Sequence, residues 1–406
     1  MNRPPLNLKS RRRGFTLIEL LVVIIIIATL IALLIPAIAS AVRAARNASV
    51  QAEINQIAQA LADFKSKYGE YPPSRIILNE NGGIQTGLLA VNSGAFDPLK
   101  STATDITLTQ LANRTQNAMR KFWPRAQFTL GSNVWGPTGA WYDFNGNGSR
   151  DFNQSVILQG HECLVFFLGG IPLVANNGGN VQISVIGFGK DPVNPFTNGI
   201  VGNGMYSANR NNPFFQFDSS RLAVTDSSEY PTGYATAFGP TFNPGYFDSL
   251  PSQGSQNFYA YFSTNNGSGY DPNDVNLQSI LDVDGSVPAT HLALRFCAPL
   301  TVPVQIATPQ QTFSPVPNPY TTTSPIPSLG TTNTNQSPTF INAQSYQIIS
   351  AGSDGAYGTG GIYAATSAGT SPELNPAQNS LSNTTDTGIR VLERDNLTNV
   401  HNGKLE

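Results

Sequence analysis

Residues 15–39 read FTLIELLVVIIIIATLIALLIPAIA, an apolar run whose one charged side chain is Glu19. About 20 apolar residues cross the ~30 Å hydrocarbon core of a bilayer as a helix, so the run predicts a transmembrane segment. It is longer than the apolar part of an ordinary secretory signal, and no small-residue cleavage site follows it. Arg3, Lys9, Arg11, Arg12 and Arg13 precede the run with no acid among them, and only Arg43 and Arg46 follow closely. By the positive-inside rule this predicts a cytoplasmic N-terminus and a body outside the cytoplasm. An ionised carboxylate near the start of such a helix costs several kcal/mol unless it is paired or hydrated. Glu19 therefore either reaches water at the interface or has a partner.

Working outward, the helix is predicted to continue to Tyr68, where Gly69 and then Pro72 and Pro73 stop it. At 100° per residue Val50, Ile54, Ile57, Ala58, Leu61, Phe64 and Tyr68 share an arc of about 120°, with Gln56, Gln59, Asp63 and Lys67 opposite. The second half of the helix, 40–68, thus presents one stripe to a core. Upstream lies the basic leader, 1–14.

The segment Arg13-Gly14-Phe15-Thr16-Leu17-Ile18-Glu19, after a basic leader and opening an apolar helix, resembles the signal of type IV prepilins and type II secretion pseudopilins. The resemblance implies cleavage by a prepilin peptidase after Gly14 and methylation of the new amine on Phe15. A glycine before the scissile bond lets an extended backbone approach the peptidase closely. Glu19 would be the fifth residue of the mature chain, and its carboxylate would pair with the terminal amine of a neighbouring subunit, fixing register. Pro36 also matches the family. Its ring removes the amide bond to the carbonyl of Ala32, which makes it either a tolerated membrane-helix kink or a weak point that stretches on assembly.

Beyond residue 69 the composition changes. Only 12% of the whole chain is charged, while it holds 37 Gly and 29 Pro, so turns and strands should outnumber helices in the body. Leader removal leaves 18 basic against 25 acidic residues, which argues against nucleic acid as the main partner. A helix is predicted over 105–123, with Leu108, Leu111, Ala112, Thr115, Met119 and Phe122 at helical spacing. Its Arg114, Arg120 and Lys121, with Arg125 just after, read as a solvated face, the alternative being a nucleic-acid contact beside Phe122 and Trp123. Strands are predicted at 156–158, through Cys163-Leu-Val-Phe-Phe-Leu168, at 258–262, at 291–296 and at 345–350. The Gly-, Asn- and Pro-rich stretch 169–251 reads as a loop-heavy insertion, and the uncharged 301–339 as an extended linker. The fold class is α+β: a long N-terminal transmembrane helix packed on a loop-rich antiparallel β-sheet head, 69–406.

Two loops are candidates for calcium. Asp143, Asn145, Asn147, Ser149 and Asp151 stand at loop positions one, three, five, seven and nine, with Gly148 at six, but Gln154 replaces the usual bidentate acid at twelve. The other reading is an Asn-Gly turn between strands. The second loop comes from resemblance: Ser350-Ala-Gly352-Ser-Asp354-Gly355 and Arg394-Asp395-Asn396 are similar to the C-terminal calcium region of major pseudopilins. There Asp354, Asp395 and Asn396 would be ligands, although the interval between the two segments is longer than in that family and Asn396 replaces a frequent acid. The two cysteines, Cys163 and Cys297, either form a disulfide or remain thiols. No Gly-x-Ser-x-Gly elbow, phosphate loop or His-Glu-x-x-His motif occurs, and catalysis is not expected.

The function these readings imply is a pseudopilin-like subunit of a type II secretion system. Its partners would be the prepilin peptidase, the secretion platform and ATPase, and other subunits of a homo-oligomeric or mixed filament. The alternatives are a type IV pilin for adhesion or DNA uptake, and a membrane-anchored protein that uses the same signal without polymerising.

Overall fold

The computed structural model describes residues 16–80, 106–128, 142–144, 146, 155–177, 180–197, 200–201, 205–206, 209–223, 243–250, 258–264, 267, 269–270, 319–323, 339–353, 355, 357, 361–365, 372–374, 395–401, 403 and 405. Two compact units are present, Met1–Ala48 and Ser49–Glu406. Helix α1, Leu17–Tyr68, contributes to both. In the first unit every large apolar side chain from Leu17 to Val42 is exposed. The helix runs through Pro36 without interruption.

In the second unit α1 behaves as its pattern predicts. Val50, Ile54, Ile57, Ala60, Leu61 and Phe64 are buried, Ala58 and Tyr68 are partly buried, and Gln56, Gln59, Asp63 and Lys67 are exposed. Gly69, at φ +86°, ends the helix and donates its amide to the Lys65 carbonyl at 2.7 Å. Strand β1, Ile76–Asn79, then pairs antiparallel with β2, Ser155–Leu158, in the register Ile76 to Leu158. Helix α2, Ile106–Phe122, lies within the predicted span and buries Thr115, Met119 and Phe122. The Thr115 hydroxyl accepts the amide of Ile77 at 3.0 Å, tying α2 to β1.

One element departs from expectation. The run through Cys163 to Leu168 is not a strand but part of α3, Gly160–Gly169, and all its residues after Gly160 are buried. A short apolar run carries no periodicity of its own, so its flanks decide between strand and helix. Here the Gln159 amide donates to the Glu162 carboxylate at 2.8 Å, one half of a capping box at the N-terminus. Gly170, at φ +93°, closes the other end by donating to the Phe166 carbonyl at 2.9 Å. A Cβ on Gly160 would lie 2.0 Å from the Tyr261 carbonyl oxygen, so only glycine permits this approach of α3 to the adjacent strand.

After α3, β3 (Pro172–Asn177) and β4 (Asn180–Val185) form an antiparallel hairpin. The short pairs β5 (Ile200–Val201) with β6 (Met205–Tyr206) and β7 (Leu222–Ala223) with β8 (Gly245–Tyr246) follow. These elements lie in the 169–251 stretch, and Ile171, Ile183, Phe188, Phe196, Leu222 and Tyr246 from it join the same core as α1 and α3. Strand β12 (Tyr346–Ser350) sits between β9 (Ala260–Ser263) and β15 (Leu397–Thr398), all antiparallel. The two-residue alternation of a strand directs Tyr346 and Ile348 into the α1 core and Ile349 into a second core with Tyr320, Phe340 and Tyr357.

That second core is joined to a four-stranded sheet in the order β11 (Thr339–Phe340), β10 (Tyr320–Thr323), β13 (Gly361–Ala365), β14 (Pro372–Leu374). The β10 to β13 pairing is parallel and the others are antiparallel. Strand β10 falls inside the 301–339 stretch. Fully buried Gln347 links the two sheets by using its side-chain amide as a peptide would. Its Oε1 accepts the Tyr320 amide at 2.7 Å, and its Nε2 donates to the Tyr320 and Ile341 carbonyls at 2.9 and 2.7 Å. The predicted strand at 291–296 lies outside the described residues.

Candidate assembly site

The described chain begins at Thr16, so Gly14 and Phe15 lie outside it. Thr16 is the last residue before the helix, and Glu19 is the third residue within it. The Thr16 amide and hydroxyl donate to the Glu19 Oε2 at 2.9 and 2.8 Å, and the Glu19 amide donates back to the Thr16 hydroxyl at 3.3 Å. This reciprocal pair is a capping box, and it satisfies two amides that the first turn of a helix leaves without partners. Glu19 is thus half of a local device that fixes where α1 starts, with its carboxylate at the positive end of the helix dipole. The Thr-x-x-Glu spacing before an apolar run was the available signal for Thr16. Further along, Thr29 satisfies its hydroxyl by donating to the Ile26 carbonyl at 2.9 Å, so the segment carries no unpaired hydroxyl there.

The remaining sequence candidates belong to the second unit. Asp143 is buried, close enough to the Arg210 guanidinium that its charge acts there against the burial that lowers the Arg210 pKa. Asn145, Asn147, Ser149 and Asp151 lie outside the described residues. At the C-terminal loop, the Asp395 Oδ2 accepts the amide and hydroxyl of Ser353, both at 2.6 Å. The backbone is tight here: Gly352 has φ +70°, and a Cβ on it would come within 2.4 Å of the Asp395 carbonyl oxygen. Asn396 is buried and donates to the Tyr320 hydroxyl and the Tyr357 carbonyl, each at 2.9 Å. The structure therefore brings the loop after β12 onto Asp395, while Asp354 lies outside the described residues. Among the described residues, no group of three or more His, Cys, Asp or Glu could hold a metal. Cys163 is buried in α3 with its Sγ 3.5 Å from the Leu158 carbonyl, and Cys297 lies outside the described residues.

Residues 9–35 match the family described as the prokaryotic N-terminal methylation motif. The chain carries a type IV prepilin-like N-terminus. This motif implies processing by a prepilin peptidase and assembly into pilus-like filaments, and its family is one of structural subunits rather than enzymes. The match covers Glu19 and the first part of α1, including the capping box and the exposed apolar surface. One long apolar helix next to this prepilin-like signal fits a single-pass membrane anchor. No curated protein and no solved structure matches the chain.

A second polar constellation, which the sequence did not disclose, lies in the head. Arg221 makes a bidentate pair with Glu53, Nη1 to Oε1 at 2.6 Å and Nη2 to Oε2 at 2.7 Å. The hydroxyls of Tyr246 and Tyr259 donate to the same carboxylate at 3.0 and 2.5 Å. Burial, and next the Glu53 charge, raise both phenols well above their ordinary range, so they remain protonated donors. Arg221 also stacks over the Tyr246 ring at 4.2 Å and donates through Nε to the Phe247 carbonyl at 3.0 Å. Glu53 of α1 is thereby bound to the head by four hydrogen bonds from three side chains acting on one carboxylate.

Proposed function

We propose that the chain is a pseudopilin-like filament subunit of a type II secretion system, cleaved after Gly14, methylated on Phe15 and assembled through its N-terminal helix for protein export. The observation that carries this reading is the match of residues 9–35, which covers the start of an α1 whose large apolar side chains from Leu17 to Val42 are all exposed. An exposed apolar helix is costly in water and finds its place in lipid or against copies of itself. Glu19 recruits the next subunit by pairing with its terminal amine, Pro36 supplies flexibility, and the head stays on the far side of the inner membrane. The secretion platform and its ATPase drive the filament. Cells lacking the chain are expected to retain normally exported proteins in the periplasm. Intact export together with lost adhesion or DNA uptake would replace this reading with that of a type IV pilin.

Calcium is part of the proposal for the head. Asp354 and Asp395 would hold the ion, with Asn396 completing the set, because the loop after β12 already lies on Asp395 through Ser353. Bound there, it would neutralise converging oxygens and tie the loop to β15. Chelator is then expected to lower the melting temperature of the head, and melting indifferent to chelator and to added calcium would remove the ion from the account. The Asp143 loop is proposed only as a second, weaker cation site, since its first acid already interacts with Arg210.

A further inference from the structure

Asp248 follows β8 and is buried, 4% exposed. Its Oδ2 accepts the Ser350 hydroxyl at 2.6 Å, and its Oδ1 accepts the Leu250 amide at 3.1 Å. The hydrogen bond to Ser350 joins the β8 segment to the end of β12, across 102 positions of sequence. Among the described residues, the ionisable groups that face Asp248 are Arg221 from the turn before β7, Glu53 from α1, Tyr259 before β9 and Tyr357 after β12. Arg221 is the one cation among them, and its guanidinium is already committed to both oxygens of Glu53 and to the Phe247 carbonyl. With Asp248 neutral the group is balanced, one cation against one carboxylate. With Asp248 ionised a second carboxylate is buried without a cation of its own, which a low-dielectric interior resists.

We propose that Asp248 is a proton-operated latch in the head: neutral, it lets the junction of the β8 segment with the end of β12 stay closed and dry, and ionised, its need for hydration opens that junction although the charge strengthens the single bond from Ser350. Burial, as the largest cause, pushes the carboxyl up from 3.8 to about 7, outweighing the hydrogen bonds from Ser350 and Leu250 that pull it down. A carboxyl raised in the folded state contributes its stability fully below its unfolded value, and that contribution is lost as pH rises toward about 7. Buried His161 works in the opposite direction. Burial lowers it to about 3, so its contribution is lost as pH falls below the ordinary histidine value. The latch is therefore read as a difference between two chains rather than from one pH profile.

The test uses the full chain in detergent micelles, with thermal unfolding followed from mildly acidic to mildly alkaline pH for the wild type and for Asp248→Asn. The variant is expected to gain on the wild type steadily as pH rises. A difference between the two that stays constant across the range overturns the proposal. A second measurement needs no variant. Amide exchange of 245–250 and 346–350, compared with the β3–β4 hairpin and corrected for intrinsic rates, is expected to lose about tenfold or more in protection over the same rise, since one pKa unit corresponds to a factor of ten. Equal change in the latch and the hairpin also overturns it.

Discussion

A chain carrying Glu19→Ala is expected to be cleaved and inserted into the membrane but to form no filaments. This carboxylate has one role within the chain and a second, proposed role between chains. Within one chain it caps α1, accepting the amide and hydroxyl of Thr16 at 2.9 and 2.8 Å. Loss of such a cap costs about 1 kcal/mol, which would fray the first turn and leave the rest of a 52-residue helix in place. Between chains, an ionised carboxylate in an apolar environment costs roughly 3 kcal/mol when unpaired, and in the proposed filament pairing with a terminal amine would recover that at each contact. Two further variants distinguish the roles. Glu19→Gln keeps the capping geometry and loses the charge, and it is expected to fail in assembly as Glu19→Ala does. Thr16→Ala keeps the charge and loses the cap, and it is expected to assemble with only a moderate loss of yield. Filaments from Glu19→Gln in wild-type amounts would show that capping is the whole function of Glu19. Filament yield by electron microscopy, normalised to membrane-inserted chain, is the readout.

Arg221→Ala is expected to be the most damaging single change in the head. The side chains of Arg221 and Glu53 are only 19% and 14% exposed, and truncating one member leaves the other charge buried with no counter-ion. Such losses cost about 3–5 kcal/mol, a large part of the stability of an ordinary domain. Tyr246 and Tyr259 would still donate to Glu53, which sets the lower end of that range as the expected value. The double variant Glu53→Gln with Arg221→Met is expected to recover part of the loss, since it removes the orphaned charge together with its partner. Denaturant unfolding of the full chain in micelles measures both. A loss under about 1 kcal/mol for Arg221→Ala would mean that the pair behaves as an exposed salt bridge does.

How legible these sites were depended on the distance over which their signals act. The first half of α1 is a composition signal, and the second half a strong period of 3.6 residues that one segment carries by itself, from Val50 to Tyr68. The burial of Val50, Ile54, Ile57, Leu61 and Phe64 follows that pattern directly. Strands β9 and β12 were legible because aromatic and β-branched residues cluster there. The run through Cys163 was misread because six apolar residues fit either a buried strand or a buried helix. What settles it is Gly160 beneath the Tyr261 carbonyl and a capping contact from Gln159. The Glu53 constellation could not be read at all. Its partner Arg221 is 168 positions away, and Glu53 itself looks like any polar residue beside the apolar stripe. Gln347 is similar: an amide in a strand reads as a solvent-facing position, and only the neighbouring β10 makes it a buried cross-link. Thr16 is the opposite case, since its Thr-x-x-Glu signature lay within four residues, overshadowed by the charge of Glu19.

Processing of the N-terminus is the central claim, and the mass of the N-terminal peptide of the chain isolated from its native membrane tests it most directly. The predicted result is a peptide beginning at Phe15 and carrying one methyl group on its amine. A peptide that still includes Arg13 and Gly14 ahead of Phe15 would contradict it.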